Sequence, residues 1–224
     1  MYKYETHCHT SESSHCGEIP AAETVELLIE NGYSGVVYTD HFTSDYYKNT
    51  EEFTDWQTIV DYHRRGYLAA KAAAGDRLTI MYGMEIRFCH ESDNDYLVFG
   101  WDEELLRNSE GIYNIGIKKF HRFCEEHGML VIQAHPFRNN MKVLKPGTVD
   151  GIEVFNGHFN HDSRNDIAQY WATKYGMRRT SGSDAHEYDD YGHGGILTNE
   201  PVRGISDFVE VLRSGEYMLV GNGI

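Results

Sequence analysis

Ser181-Gly182-Ser183-Asp184-Ala185-His186 decides how this chain is read, set beside Thr6-His7-Cys8-His9-Thr10 near its other end. Each stretch follows a short β-like run and carries two metal-type ligands two residues apart. On an extended chain, residues i and i+2 point to the same face. His7 and His9 can therefore aim at one point, as can Asp184 and His186, while Cys8 and Ala185 point the other way. Three imidazoles and a carboxylate form a hard-to-borderline donor set suited to Zn, Mn or Fe. A single His-x-His is as well explained by two surface histidines. Several strands ending this way in one chain are not.

Working outward, apolar runs alternate with helical patterns. Strands are expected at 2–8, 35–39, 77–85, 95–100, 129–134, 151–155, 178–182 and 217–220, and helices at 20–31, 52–74, 113–127, 162–175 and 205–214. In the first helix Val25, Leu28 and Ile29 form one apolar stripe, and Pro20 suits its start. Alternation of this kind implies βα units and a parallel sheet. An eight-unit barrel typically takes ~250 residues, so the 224 residues here fit a seven-stranded or incomplete barrel better. Polar residues fall at strand ends: His7/His9, Asp40/His41, Glu85, His135, Asn156 and Asp184/His186. In a parallel barrel the C-terminal strand ends share one face, where active sites are built.

Composition narrows the classes. The length fits one domain over 1–224, and 40% hydrophobic residues support a full core. No run of about 18 apolar residues is present, so no membrane span is expected. The opening Met-Tyr-Lys-Tyr-Glu-Thr-His has no apolar signal core, which points to a cytoplasmic protein. Cys8, Cys16, Cys89 and Cys124 form no Cys-x-x-Cys pair and are expected to be reduced and mostly buried. Twenty Lys and Arg against 35 Asp and Glu give a net charge of −15. That balance disfavours long nucleic acid, whose phosphates need clustered Lys and Arg. Bound divalent metals would cancel part of it locally.

Five motifs in order, His7-Cys8-His9 (followed by His15), Thr39-Asp40-His41, Gly83-Met84-Glu85-Ile86, Ala134-His135-Pro136 and Ser183-Asp184-Ala185-His186, resemble those of the PHP domain, the polymerase and histidinol phosphatase superfamily. The resemblance covers nearly the whole chain. It implies an α/β fold, a distorted seven-stranded (β/α)7 TIM-like barrel, with two or three divalent metals (Zn, Mn or Fe). By that resemblance His7, His9, Glu85 and Asp184 hold one metal. Glu85 bridges to a second, which His135 also binds, and His15, His41 and His186 hold the third. A bridging carboxylate suits metals about 3.5–4 Å apart, as two-metal hydrolysis requires. One departure matters: the family usually has another histidine after the bridging Glu, and Tyr96-Leu97-Val98-Phe99-Gly100 lacks it. His90 and Asp95 are the nearby substitutes.

The expected activity is hydrolysis of a small phosphomonoester, a nucleotide or a compound like histidinol phosphate. A metal-activated water would attack phosphorus in line. Glu85 and Asp184 would act through the metals, and Asp40, His158, His161 or a metal-bound water would supply a proton to the leaving group. Arg138, close to His135, is the first candidate for phosphate binding, followed by Arg87 and Arg164, with Asn156 orienting the substrate. An amidohydrolase-type C–N or C–O hydrolase and a metal-stabilised module without activity are the alternatives.

Overall fold

A computed structural model of the chain describes residues 1–48, 53 and 55–221. Its sheet has ten strands: β1 (Tyr2–Cys8), β2 (Gly35–Tyr38), β3 (His41–Thr43), β4 (Thr79–Arg87), β5 (Asp95–Phe99), β6 (Leu130–Gln133), β7 (Gly151–Asn156), β8 (Arg178–Gly182), β9 (Ile196–Thr198) and β10 (Met218–Leu219). They run in the order β10-β9-β1-β2-β4-β5-β6-β7-β8, with β3 extending the β4 edge beyond β2. The two ends of the β1-to-β8 path meet. Cys8 bridges Ala185 in parallel, His9 N–H donates to Ala185 O at 3.1 Å, and Thr6 Oγ1 donates to Ser181 O at 2.7 Å. Seven strands thus run round a barrel-like sheet, with β3, β9 and β10 as additions.

The sheet is not all parallel, as the alternating pattern suggested. β5 runs antiparallel to both β4 and β6. Only residues 88–94 join β4 to β5, too few for a parallel crossover, which takes a dozen residues or more. β9 pairs antiparallel with β1, and β10 with β9.

The helices are α1 (Ala21–Glu30), α2 (Ser44–Lys48), α3 (Trp56–His63), α4 (Arg65–Ala74), α5 (Glu103–Arg107), α6 (Ile117–Glu126), α7 (Asn165–Tyr175) and α8 (Ile205–Ser214). The expected helix over 52–74 is two helices broken at Arg64, and residues 52 and 54 of that span lie outside the described ones. Ser13 causes the break. Its hydroxyl donates to Tyr62 O at 3.2 Å and accepts from Gly66 N–H at 2.9 Å, so it stands between a carbonyl and the amide four residues on. An inserted side chain of this sort interrupts the helical ladder.

Side chains alternate across the sheet. On β5, Leu97 and Phe99 pack with Tyr4, Val37 and Met81 against Phe208, Val209 and Leu212 of α8. Tyr96 and Val98 face the other way, toward Phe120 of α6 and Trp56 and Val60 of α3. Cys8 and Ala185 both enter a third cluster with Val25 and Leu28 of α1, which leaves their neighbours in sequence to face inward. Among the described residues no helix is long and apolar enough to cross a membrane.

Candidate metal centre

The strand ends bring His7, His9, Glu85, His135 and Asp184 into one buried cluster. His7 Nε2 lies 3.1 Å from Asp184 Oδ1 and 3.4 Å from Glu85 Oε1. His9 Nε2 lies 3.3 Å from Asp184 Oδ1 and 3.5 Å from Glu85 Oε2. His135 Nε2 and His41 Nδ1 reach the two oxygens of Glu85 at 3.1 Å and 2.9 Å. The His186 ring stacks on that of His9 with centroids 4.2 Å apart. Two turns carry left-handed backbone at residues that are not glycine, His135 at φ 28° and Asp184 at φ 55°. Such positions cost on the order of 1–3 kcal/mol and persist where the surroundings enforce them. Here they follow β6 and β8, where they end in the cluster.

Residues behind the cluster fix its rings. Glu153 Oε1 accepts from His7 Nδ1 at 2.9 Å, and its Oε2 accepts from His135 N–H at 3.0 Å and from Asn156 Nδ2 at 2.9 Å. Glu5 Oε1 accepts from the backbone N–H groups of Thr6, His7 and Ser183, tying β1 to the turn after β8. Ser14 Oγ lies 3.2 Å from His9 Nδ1, accepts from His41 N–H at 3.0 Å and donates to Asp40 Oδ1 at 2.8 Å. Sequence reasoning gave no role to Glu5, Glu153 or Ser14: Glu5 reaches Ser183 and Glu153 reaches His7 across 178 and 146 positions, whereas Ser14 lies only five residues from His9 and sits in no motif.

A cavity of about 450 Å³ opens over this cluster, lined by His41, Glu85, Arg87, Asp95, His135, Arg138, His158, His161, Asp184, His186 and Cys16. A larger cleft of about 570 Å³, between β8, the end of α8 and β10, holds none of the metal-type groups, so the candidate site is the smaller cavity.

Several expected residues are placed differently. His15 is exposed, stacks on Tyr46 with centroids 5.2 Å apart and lies 6.2 Å from the His41 ring. It belongs to none of the possible ligand groups among the described residues. Asp40, expected among the reacting groups, is buried behind His9, where it accepts from Thr10 N–H, Thr10 Oγ1 and Ser14 Oγ. It does not line the cavity. Arg164 turns away to Phe137 O and Asn139. Asn156 is buried and bonded to Glu153, Asp184 and Arg138. Arg138 and Arg87 do line the cavity, each paired with an acid. Arg138 donates to Asp184 Oδ2 at 2.7 Å, and Arg87 makes two 2.6 Å bonds to Asp95. Of the two substitutes for the missing histidine, His90 is exposed, whereas Asp95 is buried and groups with Glu85 and His135.

Charge is shared unevenly. Burial disfavours a charged His7, but Asp184, Glu153 and Glu85 outweigh it and raise its pKa well above the usual value. Burial likewise opposes charge on His41, and Glu85 overrides it upward. For His9, burial and then the neighbouring His186 and His41 hold the pKa well below normal. Burial pushes Glu85 and Asp184 up, but the imidazoles pull both well below the carboxylate range. Burial raises Asp40 to about 7 against its hydrogen bonds. Burial also raises the Cys16 thiol, and hydrogen bonds to His186 and His41 reverse that and lower it to about 6.

The donor set fits divalent cations. His7 Nε2, His9 Nε2, Glu85 Oε2 and His135 Nδ1 are buried without a hydrogen-bond partner, and each unsatisfied buried atom costs about 1–3 kcal/mol. Ligand atoms cluster as His7/His9/Glu85, His7/His135/Asp184, His9/His41/His186 and Glu85/Asp95/His135. Buried imidazole and carboxylate facing one another in this density suit a borderline or hard cation.

Comparison with known proteins bears on the fold. A family model described as PHP-associated matches residues 162–217. No curated protein matches the chain. Among solved structures, a two-domain protein from Bacteroides vulgatus ATCC 8482, containing a predicted PHP-like metal-dependent phosphoesterase, is 17% identical with a TM-score of 0.70. The match covers 98% of this chain and 64% of that one, so this chain spans under two thirds of that protein's length. PsfC from Pseudomonas syringae PB-5123 is 14% identical with a TM-score of 0.65, covering 99% and 92% of the two chains. The lesion-specific endonuclease PfuEndoQ from Pyrococcus furiosus is 13% identical with a TM-score of 0.59, covering 97% and 57%. At these identities the likeness is one of fold. Fold and site together define a barrel-like α/β protein with a His/Asp/Glu centre at its strand ends. Residues 162–217 match the PHP-associated family model, and the fold is similar to that of the Bacteroides vulgatus protein with its predicted PHP-like phosphoesterase.

Proposed function

We propose that this chain is a metal-dependent phosphoesterase acting on a small phosphomonoester, with divalent ions (Zn, Mn or Fe) held by His7, His9, Glu85, His135 and Asp184, and by His41 and His186 beside them. The observation that carries this reading is the meeting of His7 and His9 from β1 with Glu85 from β4 and Asp184 after β8, all within 3.5 Å of a partner. When bound, divalent ions there supply Lewis acidity and positive charge where charge develops on a phosphoryl group.

The chain's own residues do the rest. Arg138 and Arg87 give the cavity wall fixed positive charge, and guanidinium forks suit phosphoryl oxygens. Part of Arg138 already holds Asp184, so it positions that carboxylate as well as facing the cavity. His158 lines the cavity with its Nδ1 bonded to Asp190 Oδ1 at 2.8 Å. That bond orients the ring toward a leaving-group oxygen, to which it hands a proton. The cavity's size, about 450 Å³, and the net charge of −15 suit a small substrate better than a long polyanion.

The test is a panel of an aryl phosphate, nucleotides, histidinol phosphate, dinucleotides and duplex DNA, run with chelator and with added Mn, Zn or Fe. Phosphate release that stops on chelation and returns with metal is the expected result. Amide or lactone turnover without phosphate release would replace this reading with an amidohydrolase-type one. Metal binding without any turnover would leave a structural module.

A further inference from the structure

Resting on the metal-centre reading above, we propose that Cys16, through its sulfur, and not His15 is the ligand that the loop after β1 supplies to the cation held by His41 and His186. The loop is stitched to both histidines. Ser14 Oγ accepts from His41 N–H at 3.0 Å, and Glu18 N–H donates to His186 O at 3.0 Å. Cys16 lies between these two anchors. Cys16 lines the cavity together with His41 and His186. His15 does not line the cavity and stacks on Tyr46.

A second observation, independent of the cysteine, marks the same place as a ligand site. His9, His41 and His186 offer ligand atoms within 4.8 Å of one another. His9 Nε2, in a residue 1% exposed, has no hydrogen-bond partner. A thiolate beside imidazoles is a softer donor set than His/Asp/Glu alone and favours Zn, Fe or Co over Mn and Mg. The centre then has a soft end at Cys16 and a hard, carboxylate-rich end at Glu85, Asp95 and His135.

Cobalt(II) reads this directly, because sulfur bound to cobalt gives a near-ultraviolet charge-transfer absorption that imidazole and carboxylate do not. The full chain, reduced and stripped with chelator, is titrated with Co(II) as wild type, Cys16→Ser and His15→Ala, with bound cobalt measured by elemental analysis. The remaining cysteines are poor sources of the band: Cys8 and Cys124 are buried in apolar clusters, and Cys89 does not line the cavity. Because Cys16 is exposed, its serine variant is expected to fold, and circular dichroism checks this. The expected result is a charge-transfer band in wild type and His15→Ala that is lost in Cys16→Ser while cobalt is still taken up. A band that survives in Cys16→Ser, disappears in His15→Ala, or is absent from cobalt-loaded wild type overturns the proposal and leaves the metal centre standing. No cobalt uptake by wild type overturns both.

Discussion

Glu153 never reaches the cavity, yet the direction of His7 depends on it. With Nδ1–H given to Glu153 at 2.9 Å, His7 must present Nε2 to Asp184 and Glu85. Glu153→Gln keeps the shape and removes the charge behind the ring. Metal affinity is expected to fall about 10–100-fold, measured by competition with a chromophoric chelator; unchanged affinity would remove Glu153 from this role. At Arg138 the substitution to Ala is expected to raise KM for phosphorylated substrates, and an unaltered KM would end its assignment to phosphate. The residues that meet in the cluster were legible because each sits in a short motif at a strand end. Glu153 was not, since its partner His7 lies 146 positions away. Cys16 was passed over because His15 beside it looks like the better ligand until the turn of the loop is known.

Elements were read well where one residue period runs unbroken, as along β1, β8 and α8. They were misread where a tertiary contact or a short link intervened. The reversal of β5 follows from the brevity of 88–94, and it brings Asp95 to the end of the strand beside Glu85. The α3–α4 break follows from Ser13, which no local pattern shows. At Gly66, the second residue of α4, a Cβ would lie 1.9 Å from Thr10 Oγ1 and 2.9 Å from Asp40 Oδ2. Gly66→Ala is therefore expected to destabilise the protein by about 1–3 kcal/mol, read from denaturant midpoints, and a midpoint at or above wild type would show that the loop yields. A separate contact joins α6 to the segment before β7: His121 Nε2 lies 3.2 Å from Asp150 Oδ2. The hydrogen bond to Asp150 raises the His121 pKa. Its contribution is thus complete below the unfolded value of about 6.5 and is lost as pH rises through the higher folded value. For a pair this open to solvent it is worth under about 1 kcal/mol. His121→Ala should lower the melting temperature more at about pH 6 than at about pH 9; an equal loss at both would contradict the pairing.

The whole molecule is a device for bringing the first nine residues, the middle strands and residues 184–186 to one end of a closed sheet. That plan was visible in sequence because motif order survives without any knowledge of registers. Closure of the ring by Cys8 and Ala185 could be foreseen only in part, from the expectation that these two side chains turn away from the ligands. The short strands β3 and β9 were not visible, being three residues long and set by pairing rather than by pattern, whereas β10 falls inside the strand expected at 217–220. The central claim is that the buried imidazoles and carboxylates form a metal site. Elemental analysis of the chain, stripped with chelator, reloaded and desalted, tests it most directly beside a His7→Ala, Asp184→Ala double variant of confirmed fold. Wild type is expected to retain more than one divalent ion per chain and the double variant clearly less; equal content in the two, or none in wild type, would contradict it.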